Sequence, residues 1–309
     1  MASLVTGGAG FIGSHLVDHL MERGEVVHVL DNLSSGALSN LDRWARHADF
    51  VFYNGDLRDE CDIIDALEGC ETVYHLAANP EVRSLKSSPR DHFDQNILST
   101  YNLLEAIRLS GEVESLIFAS TSTVYGEPSV IPTPETYGPM KPISHYGASK
   151  LASEALISSY SSMYGFRCTL FRLANVIGSR SNHGVIYDFV QKLRADPRRL
   201  EVLGDGSQSK SYLQVSDCVK GFIKCSENSQ DNCAIINMGS EDRVDVLTIA
   251  NIVIEIMNLS NVEVSLTGGV DGGRGWHGDV KLMQLDVGVA KSVGWMPLLN
   301  SYEAVKETV

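Results

Sequence analysis

Tyr146 and Lys150 stand four residues apart, so on a helix they share one face. A phenol with an ordinary pKa of roughly 10 is a poor base at neutral pH. A neighbouring ammonium stabilises the phenolate and brings the group toward the useful range. Lysine also has the reach and the donors to hold a ribose. A hydroxyl at Thr121, arriving from the end of a preceding strand, can hydrogen-bond the same substrate oxygen and pass or position its proton. The trio therefore suits removing a proton from a substrate hydroxyl and returning it. A Tyr-x-x-x-Lys spacing also occurs by chance on helix surfaces. Here it follows the hydroxyl-rich run Ser120-Thr121-Ser122-Thr123, which either lines a site or caps the next turn.

A second constellation supplies a redox partner. Leu4-Val5 leads through Thr6-Gly7-Gly8-Ala9-Gly10-Phe11-Ile12-Gly13-Ser14-His15 into Leu16, Val17 and Leu20, apolar at helical spacing. This is a strand turning into a helix at a phosphate-binding position. Gly7 permits the tight turn, Gly10 lets backbone approach a pyrophosphate, and Gly13 lets helix and strand pack closely. Val26 to Leu30 reads as the next strand and ends in Asp31 and Asn32. An acid there accepts hydrogen bonds from both adenosine ribose hydroxyls and repels a 2′-phosphate, which favours NAD over NADP.

The elements that must position these groups alternate strand and helix through the first half, the pattern of a parallel sheet covered on both faces. Strands are expected at Phe50 to Tyr53, Thr72 to Leu76, Leu116 to Phe118 and Cys168 to Leu173. Helices are expected at Leu41 to Arg46, Cys61 to Leu67, Pro89 to Leu109 and His145 to Tyr164. Small residues at Ala77-Ala78 leave room for a flat cofactor at the sheet's carboxyl edge, or serve close helix packing. After Asn175 the alternation becomes irregular, with helices expected at Val185 to Arg194, Asp217 to Ser226, Val246 to Met257 and Val287 to Val293 and a short strand at Leu200 to Leu203. The expected fold class is α/β: a doubly wound parallel (Rossmann) sheet over 1–174 and a smaller mixed substrate lobe over 175–309, with segments near 210–240 returning to the first domain.

Composition bounds the function. The formal charge of -14, with no basic block, argues against nucleic-acid binding, because nothing is placed to displace counterions from a phosphate backbone. The 6 cysteines form no C-x-x-C pair and no zinc-like spacing with histidine, so neither a metal site nor a disulfide framework is expected. No run approaches the length of a membrane span and no signal-like segment opens the chain, so a cytoplasmic protein without a membrane partner is expected. His15 and His19 are four apart with no third ligand in sight.

Over nearly its whole length the chain resembles the extended short-chain dehydrogenase/reductases that act on nucleotide sugars. The matching stretches are Thr6 to His15, Asp31-Asn32, Asp56-Leu57, Leu76-Ala77-Ala78, Thr121 with Val124-Tyr125-Gly126, Tyr146 to Lys150, Leu173-Ala174-Asn175, and Gly204-Asp205-Gly206 with Tyr212. Within that family the 4-epimerases of UDP-hexoses are the most similar branch. The resemblance implies an enzyme that interconverts UDP-glucose and UDP-galactose with NAD retained. The sugar would be oxidised at C4, turn as a 4-ketopyranose, and take the hydride back on its other face.

The same resemblance implies that Gly7, Gly10, Phe11, Ile12, Gly13, Asp31, Asn32, Asp56, Leu57, Leu76, Ala77, Ala78 and Asn96 hold NAD together with Tyr146 and Lys150. It places Thr121, Tyr146, Asn175, Val185, Ile186 and Tyr212 on the UDP-sugar, with Arg274 and Asp279 at its phosphate and ribose. Lys210 stands where relatives often have arginine, and it supplies charge without a bidentate fork. Arg274 is further from Gly278-Asp279 than is usual, and Met283 lies where side-chain bulk limits a 2-acetamido group. Relatives that dehydrate carry Asp-Glu after the catalytic threonine, and decarboxylases carry a Glu in that region. Ser122 and Thr123 are not acids, which is the reason to expect epimerisation. The rival readings are a 2-acetamido or glucuronate 4-epimerase, a decarboxylase, or a non-catalytic NAD-binding protein. A homodimer through a four-helix bundle is also implied, with Leu98, Tyr101, Leu104, Leu156 and Tyr160 as its apolar residues.

Overall fold

Leu4 and Val5 are adjacent and both fully buried, and successive strand residues point to opposite faces, so the first strand must be covered on both sides. The computed structural model, which describes residues 2–83 and 88–309, shows how. Strands β1 (Ala2–Thr6), β2 (Val26–Asp31), β3 (Phe50–Asn54), β4 (Cys70–His75), β5 (Ser115–Thr121) and β6 (Arg167–Leu173) join the strand Cys233–Met238 in one parallel sheet. The order across it is Cys233–Met238, β6, β5, β4, β1, β2, β3. The chain steps outward from β1 to β3 and then returns to β1's other side with β4. That reversal opens a crevice at the carboxyl ends of β1 and β4, the place where doubly wound sheets bind ligands.

Leu4, Leu30, Val73 and Phe118 pack against the helices Glu60–Leu67, Ser99–Ser110 and His145–Tyr164. Val5, Val29 and Phe171 pack on the opposite face, against Phe11–Glu22 and Val215–Asn228. Phe222 on the latter helix is fully buried, with its ring centre 4.9 Å from that of Phe171. Phe222→Ala is expected to cost about 3–5 kcal/mol, read from the midpoint of urea unfolding.

Several elements differ from expectation. The segment after Leu41 is not a helix. A 3₁₀ turn at Leu38–Leu41 is followed by turns that side chains hold, Asn40 Nδ2 on the Ala9 carbonyl (2.9 Å) and Trp44 Nε1 on Asp18 (2.7 Å). The long helix near Pro89 contains a π-turn at Phe93–Leu98 between Pro89–His92 and Ser99–Ser110. Two short strands, Asn175–Ile177 and Tyr212–Gln214, pair in parallel, and Cys233–Met238 adds a seventh strand beside β6. The remaining C-terminal elements enclose their own core of Ile186, Phe189, Leu193, Val202, Ile249 and Val253. Among the described residues no helix is long and apolar enough to cross a membrane.

Candidate active site

The glycine-rich turn sits at the crevice. Gly7 has φ 72°, and a Cβ there would lie 2.7 Å from the Ala77 nitrogen. A Cβ on Gly13 would overlap the Gly7 carbonyl oxygen. The helix Phe11–Glu22 starts at Gly10 without a side-chain cap, so its first amides are available to an anion. Asp31, at the end of β2, accepts from the amides of Ala9 (2.9 Å) and Leu33 (2.8 Å). Burial pushes its carboxyl above the usual range, and the two amides oppose that shift. Asn32 donates to Asp56 (2.8 Å), whose carboxylate Arg58 grips with two bonds of 2.9 and 2.7 Å and holds well below the usual range. Backbone approach at the turn, open amides and a buried acid twenty-odd residues on fit a dinucleotide's pyrophosphate and ribose.

The hydroxyl-rich strand end becomes a turn for a local reason. Thr121 Oγ1 accepts from the Thr123 amide (3.2 Å), closing the 3₁₀ turn Ser122–Tyr125. Ser144 caps the next helix by accepting from the Gly147 amide (3.1 Å), which places Tyr146 in the first turn and Lys150 one turn on. Thr121, Tyr146 and Lys150 line one cleft, and the Thr121 side chain acts on the Tyr146 phenol. Lys150 is 2% exposed, its Nζ 4.0 Å from the centre of the Phe118 ring.

Burial pushes Tyr146 up to about 12, with the Thr121 bond opposing, and pushes Lys150 down to about 7, with the Glu154 charge opposing. His75 on β4 is fully buried beside Lys150 and is driven down to about 3, first by burial and then by that ammonium. Desolvation is thus the larger influence on the phenol, where the spacing alone led us to expect the ammonium to dominate. With the amine buried and the phenol partly so, a lone charge is disfavoured on either group, so a phenolate at Tyr146 is best accommodated while Lys150 keeps its proton.

The cleft of about 670 Å³ runs from the glycine turn, past this trio, to the C-terminal elements. It is lined by Gly7, Gly10, Phe11, Ile12, Gly13, Asp31, Asn32, Asp56, Leu57, Leu76, Ala77 and Ala78 on one side, and by Asn175, Val185, Ile186, Lys210, Tyr212 and Met283 on the other. Three expected residues do not line it. Asn96 is buried behind the strand ends, its side chain engaged with the Asn79 amide (2.7 Å) and Ser149 (2.8 Å). Arg274 pairs with Glu127 and donates to the Asp279 carbonyl (2.6 Å). The Asp279 carboxylate, 2% exposed, accepts from Lys210 (2.6 Å) and the Gly275 amide (3.1 Å).

Sequence reasoning missed Trp276, which lines the cleft within the lengthened Arg274–Asp279 spacing. Lys210 Nζ lies 5.5 Å and the Arg83 guanidinium 6.0 Å from its ring centre. The aromatic residue inside that insertion was the signal available. Tyr187 and Arg194, two turns apart on the helix Val185–Ala195, and Thr308 at the end of the helix Ser301–Thr308 also line the cleft.

A seven-stranded parallel sheet, a glycine turn at its reversal point and a Thr–Tyr–Lys group in the same cleft define a Rossmann-type, dinucleotide-binding protein. A family model described as NAD dependent epimerase/dehydratase family matches residues 3–239. The chain belongs to this family, and its cofactor is NAD. It is 34% identical over 313 residues to a putative UDP-glucose 4-epimerase of Methanocaldococcus jannaschii, covering 99% of this chain and 96% of that one. It is 33% identical over 316 residues to UDP-glucuronic acid decarboxylase 3 of Arabidopsis thaliana, covering 99% and 87%. A crystal structure of a UDP-galactose 4-epimerase superposes with a TM-score of 0.87 at 44% identity, covering 100% of this chain and 97% of that one. The chain is an enzyme of the NAD-dependent UDP-sugar group; these relatives differ among themselves in reaction and sugar.

Proposed function

We propose that the protein is a UDP-sugar 4-epimerase that interconverts UDP-glucose and UDP-galactose with NAD held in the 1–174 domain and the nucleotide sugar held by the 175–309 lobe. The observation that carries this reading is that Thr121, Tyr146 and Lys150 line one cleft, beside a strand end whose next residues, Ser122 and Thr123, are not acids. Gly7, Gly10, Gly13, Asp31, Asn32 and the Leu76–Ala78 edge hold the dinucleotide. NAD, when bound, supplies a hydride acceptor that returns the hydride. Tyr146 Oη takes the proton of the sugar 4-hydroxyl and later gives it back. Thr121 Oγ1 holds the same sugar oxygen in line, and Lys150 keeps the phenolate and a ribose in place. Asn175, Val185, Ile186, Lys210 and Tyr212 bind the nucleotide end and leave the sugar free to turn. Dehydration would need an acid and a base at C5 and C6, and neither Ser122 nor Thr123 supplies one.

The purified protein, incubated with UDP-galactose and no added coenzyme, is expected to yield UDP-glucose by nucleotide-sugar chromatography. No conversion, with bound NAD demonstrated in the same sample, would defeat the reading. UDP-N-acetylglucosamine and UDP-glucuronate, run in parallel, test the neighbouring specificities. Carbon dioxide release from UDP-glucuronate would mark a decarboxylase instead.

The reading includes a cytoplasmic homodimer. Tyr101, Leu109, Met163 and Tyr164 are exposed on the helices expected to pair, with Tyr160 and Leu156 half-buried beside them. Leu104 is not available to a partner, since it is fully buried in the chain's own core.

A further inference from the structure

Glu154 lies one helical turn beyond Lys150 and two beyond Tyr146, on the same face of the His145–Tyr164 helix. It is 4% exposed and its partner Arg172 is 1% exposed. The carboxylate accepts from Arg172 Nη2 (2.7 Å) and Nε (3.1 and 3.2 Å) and from the Ser120 hydroxyl. Ser120 and Arg172 face each other in the register of β5 and β6, and each immediately precedes a residue that lines the cleft, Thr121 and Leu173. Arg172 also donates to Tyr125 Oη (3.0 Å) and to the Glu135 carbonyl (3.1 Å). A buried charge pair with its remaining donors and acceptors matched in this way holds geometry; with one partner removed, it leaves a charge stranded.

We propose that Glu154 is a positioning residue whose carboxylate ties the ends of β5 and β6 to the helix carrying Tyr146 and Lys150, fixing Thr121 relative to Tyr146 and holding a negative charge one turn from the Lys150 amine. The kinetic consequence rests on the epimerase reading; the effect on Lys150 does not.

The groups facing Lys150 can be named element by element. Tyr146 and Glu154 lie on its own helix, His75 on β4 and the Phe118 ring on β5, with Arg172 on β6 behind Glu154. His75 is held neutral by burial, and the Tyr146 phenol is held neutral likewise. Among these groups Glu154 is the anion, and its charge favours the ammonium against the desolvation that opposes it. Removing that charge while leaving Arg172 in place acts twice in one direction, withdrawing an attraction and exposing Lys150 to an unpaired cation.

Glu154→Gln and Ser120→Ala separate the two effects. In full-length protein with NAD bound, the Lys150 midpoint is read by NMR of isotope-labelled lysine, with the signal assigned by its absence in Lys150→Met. In Glu154→Gln that midpoint is expected to fall by about half a pH unit or more, and kcat to fall about tenfold or more with KM within about threefold. Ser120→Ala keeps the charge pair, so the midpoint should stay put while kcat falls about threefold. An unmoved midpoint and unchanged kcat in folded Glu154→Gln would overturn the proposal. If Glu154→Gln does not fold, unchanged kcat in Ser120→Ala overturns it, and a lowered kcat at constant KM supports it. A wild-type enzyme inactive on every UDP-sugar would sink the proposed reaction and leave the Lys150 comparison standing.

Discussion

Tyr146→Phe lowers kcat by about 10²–10⁴-fold, the range expected when a positioned general base is removed, and leaves NAD content and UDP-sugar affinity within a few fold. The split follows from where the phenol sits. Its ring lines the cleft between the two binding regions, and phenylalanine preserves that surface, so binding loses only a hydroxyl. The hydroxyl is the atom that carries the substrate proton in the proposed reaction, and Thr121 lines the cleft with it. Thr121 cannot replace it, because an aliphatic alcohol is far less acidic than a phenol and its neighbour at 3.1 Å, the Thr123 hydroxyl, is no base. Single-turnover absorbance of the coenzyme on mixing with UDP-galactose, alongside steady-state turnover, separates lost chemistry from lost binding. Full turnover by the Phe variant would remove Tyr146 from the proton path. A variant that also loses its coenzyme would mean that the phenol holds the dinucleotide.

What was legible in the chain and what was not divides along one physical line. Tyr146 and Lys150 are placed by a single helix, and Gly7, Gly10, Gly13 and Asp31 by one strand–helix–strand unit, so sequence spacing translates directly into distance. The seventh strand, Cys233–Met238, lay within the expected 210–240 segment, and its place beside β6 is a long-range pairing that no local spacing encodes. Arg274 and Asp279 fall outside this rule. Their loop contains Gly268, Gly269, Gly272, Gly273 and Gly278 at positive φ, so its path is set by backbone turns and by the Val270–Arg274 bridge. No count of residues could say that Arg274 would meet Glu127 or that Trp276 would take the place on the cleft wall. Asn96 shows the same limit on a helix: its position on the helix was readable, and its engagement by Asn79 and Ser149 was a matter of tertiary packing.

Gly13→Ala is expected to yield protein that purifies with its NAD content reduced about tenfold or more, since a single methyl there forces the phosphate-binding turn open. The new Cβ would meet the Gly7 carbonyl oxygen and lie 2.9 Å from the Gly8 Cα. Both are backbone atoms in the turn itself, so no side chain can swing aside to relieve the contact. The relief available is to lift the helix Phe11–Glu22 from β1. That movement carries the helix's first amides, those of Phe11 and Ile12, away from the cleft and loosens the buried Leu16 and Val17, costing about 1–3 kcal/mol of stability. Gly24→Ala is the matched control. Gly24 has φ 78° with no atom within 4 Å of a Cβ, so alanine there carries backbone strain of about 1 kcal/mol and leaves the turn alone. Chromatography of nucleotide released from the denatured variants, with thermal unfolding of each, decides the matter. A Gly13→Ala protein that keeps a full complement of NAD would mean that the coenzyme is held without the turn, and Gly24→Ala losing it would mean that stability alone governs retention.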